Sequence, residues 1–162
     1  MASAVTIRSA TPEDVPELLA MVRELADYEK ALTQVLATED SLRLTLFAER
    51  PAVFAHVARV DGAIVGMAVW YLSYSTWLGS HSLYLEDLFV RPDHRGSGTG
   101  RLLLQELAQI CVERGYQRLE WWVLDWNSPA RGFYDALGAD ALTEWIPYRI
   151  TGPDLAALAG PV

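Results

Sequence analysis

Residues 90–104 read VRPDHRGSGTGRLLL, and three glycines, Gly96, Gly98 and Gly100, fall within five positions between Arg95 and Arg101. Glycine disfavours a helix interior by about 1 kcal/mol relative to alanine, so such a cluster marks backbone that must bend or come close to something. The preceding LYLEDLFV, residues 83–90, reads as a strand, and the following Leu103, Leu107 and Ile110 recur at helical spacing. A helix start exposes several main-chain N–H groups and carries partial positive charge, and glycines let a bulky phosphate approach them. Arg95 and Arg101 add formal charge. A plain tight turn is the competing reading.

Spacing sets two phosphate motifs aside. A nucleotide P-loop needs Lys and then Ser or Thr after its last glycine, whereas Gly100 precedes Arg101 and Leu102. A dinucleotide fingerprint would put its third glycine where Arg101 stands. Glu120 does lie about 20 residues on, as a ribose ligand would, but the glycine register is wrong.

The rest of the chain predicts an α/β domain of mixed (α+β) type, 1–162, with a mostly antiparallel sheet and one parallel βαβ crossover. A short strand near Val5 to Arg8 precedes TPED, a capped helix start, and Leu18, Leu19, Val22 and Leu25 follow at helical spacing with Pro16 held near the first turn. Thr38, Glu39 and Asp40 announce a second helix to about Phe47. AVFAHVARV and AIVGMAVWYLS flank Asp61-Gly62, a strong hairpin signal. Arg114 and Gly115 close the helix after the glycine loop. RLEWWVL, 118–124, is expected as the parallel partner strand, crossing over right-handedly. Asn127 or Ser128 with Pro129 starts another helix, Gly138 ends it, and a strand is expected near Leu142 to Ile150.

Composition narrows the partners. Half the chain is apolar, 51%, which suits one substantial core. With 13 basic against 21 acidic side chains the chain carries −8, which argues against nucleic acid and favours a cationic partner. The single Cys111 can form no internal disulfide and has no CxxC companion. No apolar run approaches the roughly 20 residues of a membrane span, and MASAVTIRSA lacks a signal segment. The expectation is a soluble cytoplasmic protein. His56, His81 and His94 show no paired ligand spacing, so no metal is expected.

RGSGTG, between a strand and a helix, fits the R/Q-x-x-G-x-G/A signature and resembles the GNAT family of N-acetyltransferases. The blocks RELADYEK, YSTWLG, LYLEDLFV, VLDWN and FYDALGA extend the resemblance to its diamine acetyltransferase branch, most of all to the thialysine-acetylating members. The resemblance implies a GNAT fold with a splayed cofactor cleft and acetyl-coenzyme A as cosubstrate. Amides of Gly96, Ser97, Gly98, Thr99 and Gly100, flanked by Arg95 and Arg101, would hold its pyrophosphate. Leu88, Phe89 and Val90 would bond the pantetheine arm through main-chain groups, and Asn127, Ser128, Pro129 and Ala130 would flank it. For Asn127 and Pro129, a helix cap and first-turn proline is an equally good reading.

A primary amine with a pKa near 10.4 is neutral in only about one molecule in a thousand at pH 7, so an acetylating site must remove a proton. Glu86 and Asp87 are adjacent acids in an apolar strand, and alternation sends them to opposite faces unless a bulge intervenes. The resemblance selects Glu86 as proton acceptor, through water, although a carboxylate paired with an arginine is the bland alternative. It likewise makes the Tyr134 phenol the acid that protonates the departing thiolate, where tyrosine at helical spacing is otherwise core. Cys111, mid-helix with no histidine nearby in sequence, reads as buried filler, which favours direct transfer in a ternary complex over an acetyl-enzyme.

The resemblance also places Tyr28, Glu29, Glu86, Asp87, Glu120, Trp121 and Trp122 on the acceptor side, with Trp77 and Trp145 completing a wall. Acids neutralise ammonium groups and indole faces attract them, but each Trp also suits a core or an interface. Polyamine-specific relatives carry an acid where this chain has Ser75, so a lysine-like amine such as thialysine, or a small diamine, ranks above long polyamines. A homodimer is implied. The competing functions are a non-catalytic acyl-coenzyme A binding module and a purely structural dimer module; the second leaves the glycine loop unexplained.

Overall fold

The computed structural model describes residues 4–160, so residues 1–3 of the amino-terminal stretch and residues 161–162 lie outside the described residues. The chain divides into two compact units, Met1–Trp122 and Val123–Val162.

The first unit is a five-stranded sheet in sequential order: β1 (Thr6–Ser9), β2 (Val53–Val60), β3 (Ala63–Ser75), β4 (Ser80–Val90) and β5 (Leu119–Glu120). Neighbours run antiparallel except β4 and β5, which pair in parallel. Three helices complete it: α1 (Val15–Tyr28), α2 (Glu39–Leu46) and α3 (Thr99–Arg114), the last forming the crossover. The mixed sheet with a single parallel pair is the architecture expected from the sequence.

Local chemistry explains the element boundaries. Asp14 accepts from the Thr11 amide at 2.8 Å, fixing the turn before α1. Arg8 of β1 grips the same carboxylate with two bonds of 2.6 and 2.9 Å, tying strand to helix. Thr38 caps α2 by accepting from Ser41 N at 3.1 Å. Asp61 and Gly62 adopt φ of 50° and 86°, the left-handed pair that a two-residue hairpin turn requires.

Residues paired across a ladder share a face, so the register assigns both faces of the sheet. Ala55, Val57, Met67 and Phe89 pack under Leu18, Met21 and Leu46 of α1 and α2. The opposite face carries Trp70, Ala68 and Gly66, where the buried Leu103, Leu104 and Leu107 of α3 lie. A Cβ at Gly66 would stand 3.0 Å from the Phe89 carbonyl and 3.4 Å from Leu103 Cδ1. A side chain there would press first on the β4 main chain, with Leu103 of α3 at contact range above it.

The second unit holds α4 (Ser128–Ala136) and α5 (Gly152–Ala159). Asn127 Oδ1 accepts from Ala130 N at 3.3 Å with Pro129 in the first turn, so cap and proline act as the sequence suggests. Two expectations fail. The strand expected over 118–124 is paired only at Leu119–Glu120, and 142–150 is irregular rather than a strand. Trp145, Ile146, Tyr148 and Ile150 are strand formers, but among the described residues no ladder takes their hydrogen bonds, and propensity without a partner does not make a strand. α5 went unforeseen because its window, GPDLAALA, is short and begins with two helix breakers.

Replacing Asp14 by Ala removes the cap and half of the Arg8 bridge, and should lower stability by about 2 kcal/mol in urea unfolding at pH 7. Arg8 holds the Asp14 pKa below its ordinary value. The wild-type advantage is therefore full above the unfolded-chain pKa and should vanish as pH falls through the depressed folded value.

Candidate active site

The glycine loop is built as an anion cradle. Gly96 and Gly98 adopt φ of 73° and 85°, and a Cβ at either would meet nothing within 4 Å, so the space before them is open. Gly98 caps α3, and the Leu102 amide is the first to close onto it, at 3.0 Å. The amides of Thr99, Gly100 and Arg101 thus have no intrahelical acceptor. Ser97 Oγ donates to the His94 carbonyl at 2.6 Å and lies 2.9 Å from Thr99 Oγ1, which fixes the loop. Arg101 is exposed. Arg95 donates through Nε to the Val90 carbonyl at 2.8 Å, and its guanidinium carbon lies 5.4 Å from the ring centroids of Tyr28 and Phe89.

Upstream of the loop, β4 has an open edge. It pairs with β5 only at Leu83 and Tyr84, whereas its ladder with β3 runs on to Val90. The Arg91 amide donates to Val65 of β3, so alternation turns the main-chain groups of Leu88 and Val90 to the open side and those of Phe89 inward. Leu88 and Val90 can receive another extended chain. Phe89 contributes its buried ring instead.

The adjacent acids sit on a bulge. Asp87 faces Val69 and Leu85 faces Trp70, which leaves Glu86 as one extra residue in β4. Tyr84 pairs with Tyr71, two residues from Val69, so Tyr84 and Asp87 lie on the same face although three positions separate them. Burial pushes the Asp87 pKa up to about 6, with the charges of Glu86 and Glu29 adding to it. Burial also raises Glu29, which caps the end of α1 beside Tyr28. Glu29, Glu86 and Asp87 thus form one acidic cluster.

Two tyrosines that the sequence reading missed, Tyr71 and Tyr84, adjoin it together with Trp122. Tyr71 and Tyr84 have ring centroids 4.9 Å apart, and Trp122 meets Tyr84 edge-on at 6.2 Å. Glu120 is the β5 partner of Tyr84. Burial, then Tyr71, Glu86 and Glu120, push the Tyr84 phenol up to about 12. Tyr84 stands two positions before Glu86, which was a usable signal once the acids were in hand. Its pairing with Tyr71 was not, because that register is set where the β3–β4 hairpin closes, at Ser75 and Ser80.

The remaining residues belong to other elements. Trp77 sits in the β3–β4 turn at 89% exposure, and six residues of ladder separate that end from the bulge, roughly 20 Å. The structure does not bring it to the acids. Trp121 is half-buried. In the second unit, Tyr134 is half-buried on α4 with its ring 5.4 Å from that of Phe133, Asn127 is buried, Ser128 and Pro129 are exposed in the first turn, and Trp145 is 68% exposed. Cys111 is buried with its thiol pKa raised by burial, as filler rather than nucleophile.

The model of the Acetyltransferase (GNAT) family matches residues 19–139. The chain belongs to that family. It is 40% identical to a Bos taurus thialysine N-epsilon-acetyltransferase over 96% of this chain and 98% of the relative, and 38% identical to one from Caenorhabditis elegans over 90% and 91%. Among solved structures, an integron cassette protein from the mobile metagenome of V. cholerae superposes with a TM-score of 0.80 at 29% identity, covering 97% of this chain and 98% of that one.

As a GNAT acetyltransferase the chain is an enzyme, and acetyl-coenzyme A is the family's cosubstrate. The residues present fit that molecule: the unpaired amides at the start of α3, the open space before Gly96 and Gly98, and the outward groups of Leu88 and Val90 suit a diphosphate followed by an amide-bearing arm. Among the described residues no helix is long and apolar enough to cross a membrane.

The acid cluster carries a stability cost with a defined pH window. A carboxyl raised from 3.8 to about 6 binds its proton more readily folded than unfolded, so its cost is full above pH 6 and disappears as pH falls towards 4. Asp87→Asn should therefore stabilise the fold by on the order of 1 kcal/mol at pH 7.5, after allowance for solvent screening, and by nothing near pH 4. Thermal unfolding at the two pH values checks both sign and window.

Proposed function

We propose that this chain, acting as one acetyltransferase domain over residues 1–162, moves the acetyl group of acetyl-coenzyme A to a primary amine of a small cationic acceptor by direct attack in a ternary complex. The observation that carries this reading is the cluster of Glu29, Glu86 and Asp87 at the β4 bulge, close in the chain to a glycine loop built for a diphosphate. When bound, acetyl-coenzyme A supplies an acyl group activated as a thioester. The amides of residues 96–101 and Arg101 hold its phosphates, and Leu88 and Val90 align its arm. Arg95 braces the loop end of β4 through Val90.

The acidic cluster attracts the acceptor as an ammonium ion. Glu86 then takes its proton, directly or through water, because only the neutral amine has a lone pair to attack with. Tyr134 supplies a proton to the departing thiolate. Asn127 through Ala130 open α4 and flank the cosubstrate's arm. Tyr28, Glu29, Asp87, Glu120, Trp121 and Trp122 line the acceptor side. Ser75, neutral where polyamine enzymes carry an acid, and the likeness to thialysine acetyltransferases favour a lysine-like amine or short diamine over long polyamines. The protein works in the cytoplasm as a homodimer, without nucleic acid or metal.

Release of coenzyme A thiol, followed with thialysine, lysine, diamines and polyamines as acceptors, tests the reaction. Thiol release with none of them would refute it. Tyr134→Phe should lower kcat by about 100-fold while leaving the KM for acetyl-coenzyme A within about twofold, the signature of a group acting only in the transition state. An unchanged kcat removes Tyr134 from the chemistry.

A further inference from the structure

The acid cluster joins two elements, since Glu29 closes α1 while Glu86 and Asp87 belong to β4. Burial fixes α1 through its first half. Val15, Leu18, Leu19 and Met21 are buried, but beyond Met21 no residue of the helix is, and Val22 and Leu25 pack against the core only in part. Tyr28 and Glu29, at the far end, depend more on polar contacts, one of which is the Arg95 guanidinium near the Tyr28 ring. Arg91, the residue directly after β4, supplies a stronger one. Its guanidinium reaches Glu24 through Nε at 3.3 Å and Nη2 at 3.1 Å, meets Glu17 at 2.8 Å, and donates through Nη1 to the Ile64 carbonyl of β3 at 3.0 Å. Its amide donates to Val65, so side chain and main chain are both pinned to β3. Glu17 and Glu24 stand seven positions apart, two helical turns, and so share one face of α1.

An isolated surface ion pair contributes little, but one planar guanidinium bonded to two carboxylates and a carbonyl, with its side chain 29% exposed, holds a definite geometry. That geometry closes a triangle. From the contact of Arg91 with Glu24, five residues of α1 lead to Glu29, a rise of roughly 7.5 Å, and four residues of β4 lead back to Asp87, roughly 13 Å. Both arms end at the acid cluster, where the Glu29 charge acts on Asp87. The length of the third side therefore sets how far the acid of α1 stands from the acids of β4. Resting on the amine-acetylating reading above, we propose that Arg91 is a positioning residue, which through Glu24 holds the acceptor-side end of α1 in place against β4 and so sets the affinity for the acceptor ammonium while touching neither substrate.

A double-mutant cycle on Arg91 and Glu24 tests this, measured with acetyl-coenzyme A and the amine of the panel above that turns over fastest. Arg91→Gln should raise the acceptor KM by about fivefold, while kcat and the KM for acetyl-coenzyme A stay within about twofold. Glu24→Gln, made on the helix and far in sequence from the glycine loop, should reproduce most of that rise. The double variant should then be no worse than Arg91→Gln alone. A merely structural role predicts a smaller folded fraction instead, which lowers kcat and leaves both KM values as they were; that result overturns the proposal. Additive effects in the double variant also overturn it, because the two side chains would then act separately, and so does an acceptor KM that no variant changes. If Arg91→Gln does not fold, the change at the helix surface, Glu24→Gln, decides by itself. Should the wild-type protein acetylate no amine, the underlying reading fails and this one with it.

Discussion

Glu86 is the residue that β4 has and β3 lacks opposite it, and the acceptor side of the site is arranged by that insertion. Without it, alternation would put Tyr84 and Asp87 on opposite faces. With it, Leu85 keeps its place opposite Trp70 on the α3 side while Asp87 turns to the α1 side with Tyr84. One extra backbone unit therefore gathers acids from β4 and α1 beside a row of phenols. The bulge also re-aims the strand just before its open edge, the segment whose Leu88 and Val90 groups point outward.

Such an arrangement is costly and needs a rigid frame. Burial, with the charges of Glu86 and Glu29 adding to it, raises Asp87 well above its ordinary pKa. The offset comes from both faces of the sheet: Leu18, Met21 and Leu46 against Val57, Met67 and Phe89 on one, Leu103 and Leu107 on the other. Gly66 matters most here. A Cβ there would stand 3.0 Å from the Phe89 carbonyl and 3.4 Å from Leu103 Cδ1, so β3 can pack against both β4 and α3 at that point only with little side chain in the way.

Features governed by a few consecutive residues were legible in the sequence. The glycine loop, the Asp61-Gly62 turn, the caps at Thr11, Thr38 and Asn127, and the stop at Gly115 all depend on local backbone preference, and the fold bears each of them out. The bulge was legible only as a condition, because two adjacent acids in an apolar strand fall on opposite faces unless one intervenes. What could not be read was anything requiring a neighbour. The Tyr71–Tyr84–Glu120 row exists only once three strands are in register. The expected strand over 142–150 has the right residues, yet no described ladder receives it. Trp77 looked like a wall residue by type, but the length of the β3–β4 hairpin carries it away from the acids.

The electrostatics of the site suit a cation. Among the described residues, Glu29, Glu86 and Asp87 form no ion pair, although arginines elsewhere are paired readily, Arg8 with Asp14 and Arg91 with Glu17 and Glu24. The nearby Arg95 holds the Val90 carbonyl and lies between the Tyr28 and Phe89 rings. A structural cluster of acids would be expected to recruit a basic side chain, since unpaired half-buried carboxylates destabilise the fold. Leaving them unpaired keeps their charge for a molecule that arrives from solution. A protonated amine, the acceptor proposed above, suits that charge, and on the same proposal Glu86 takes the proton it must lose before it can attack.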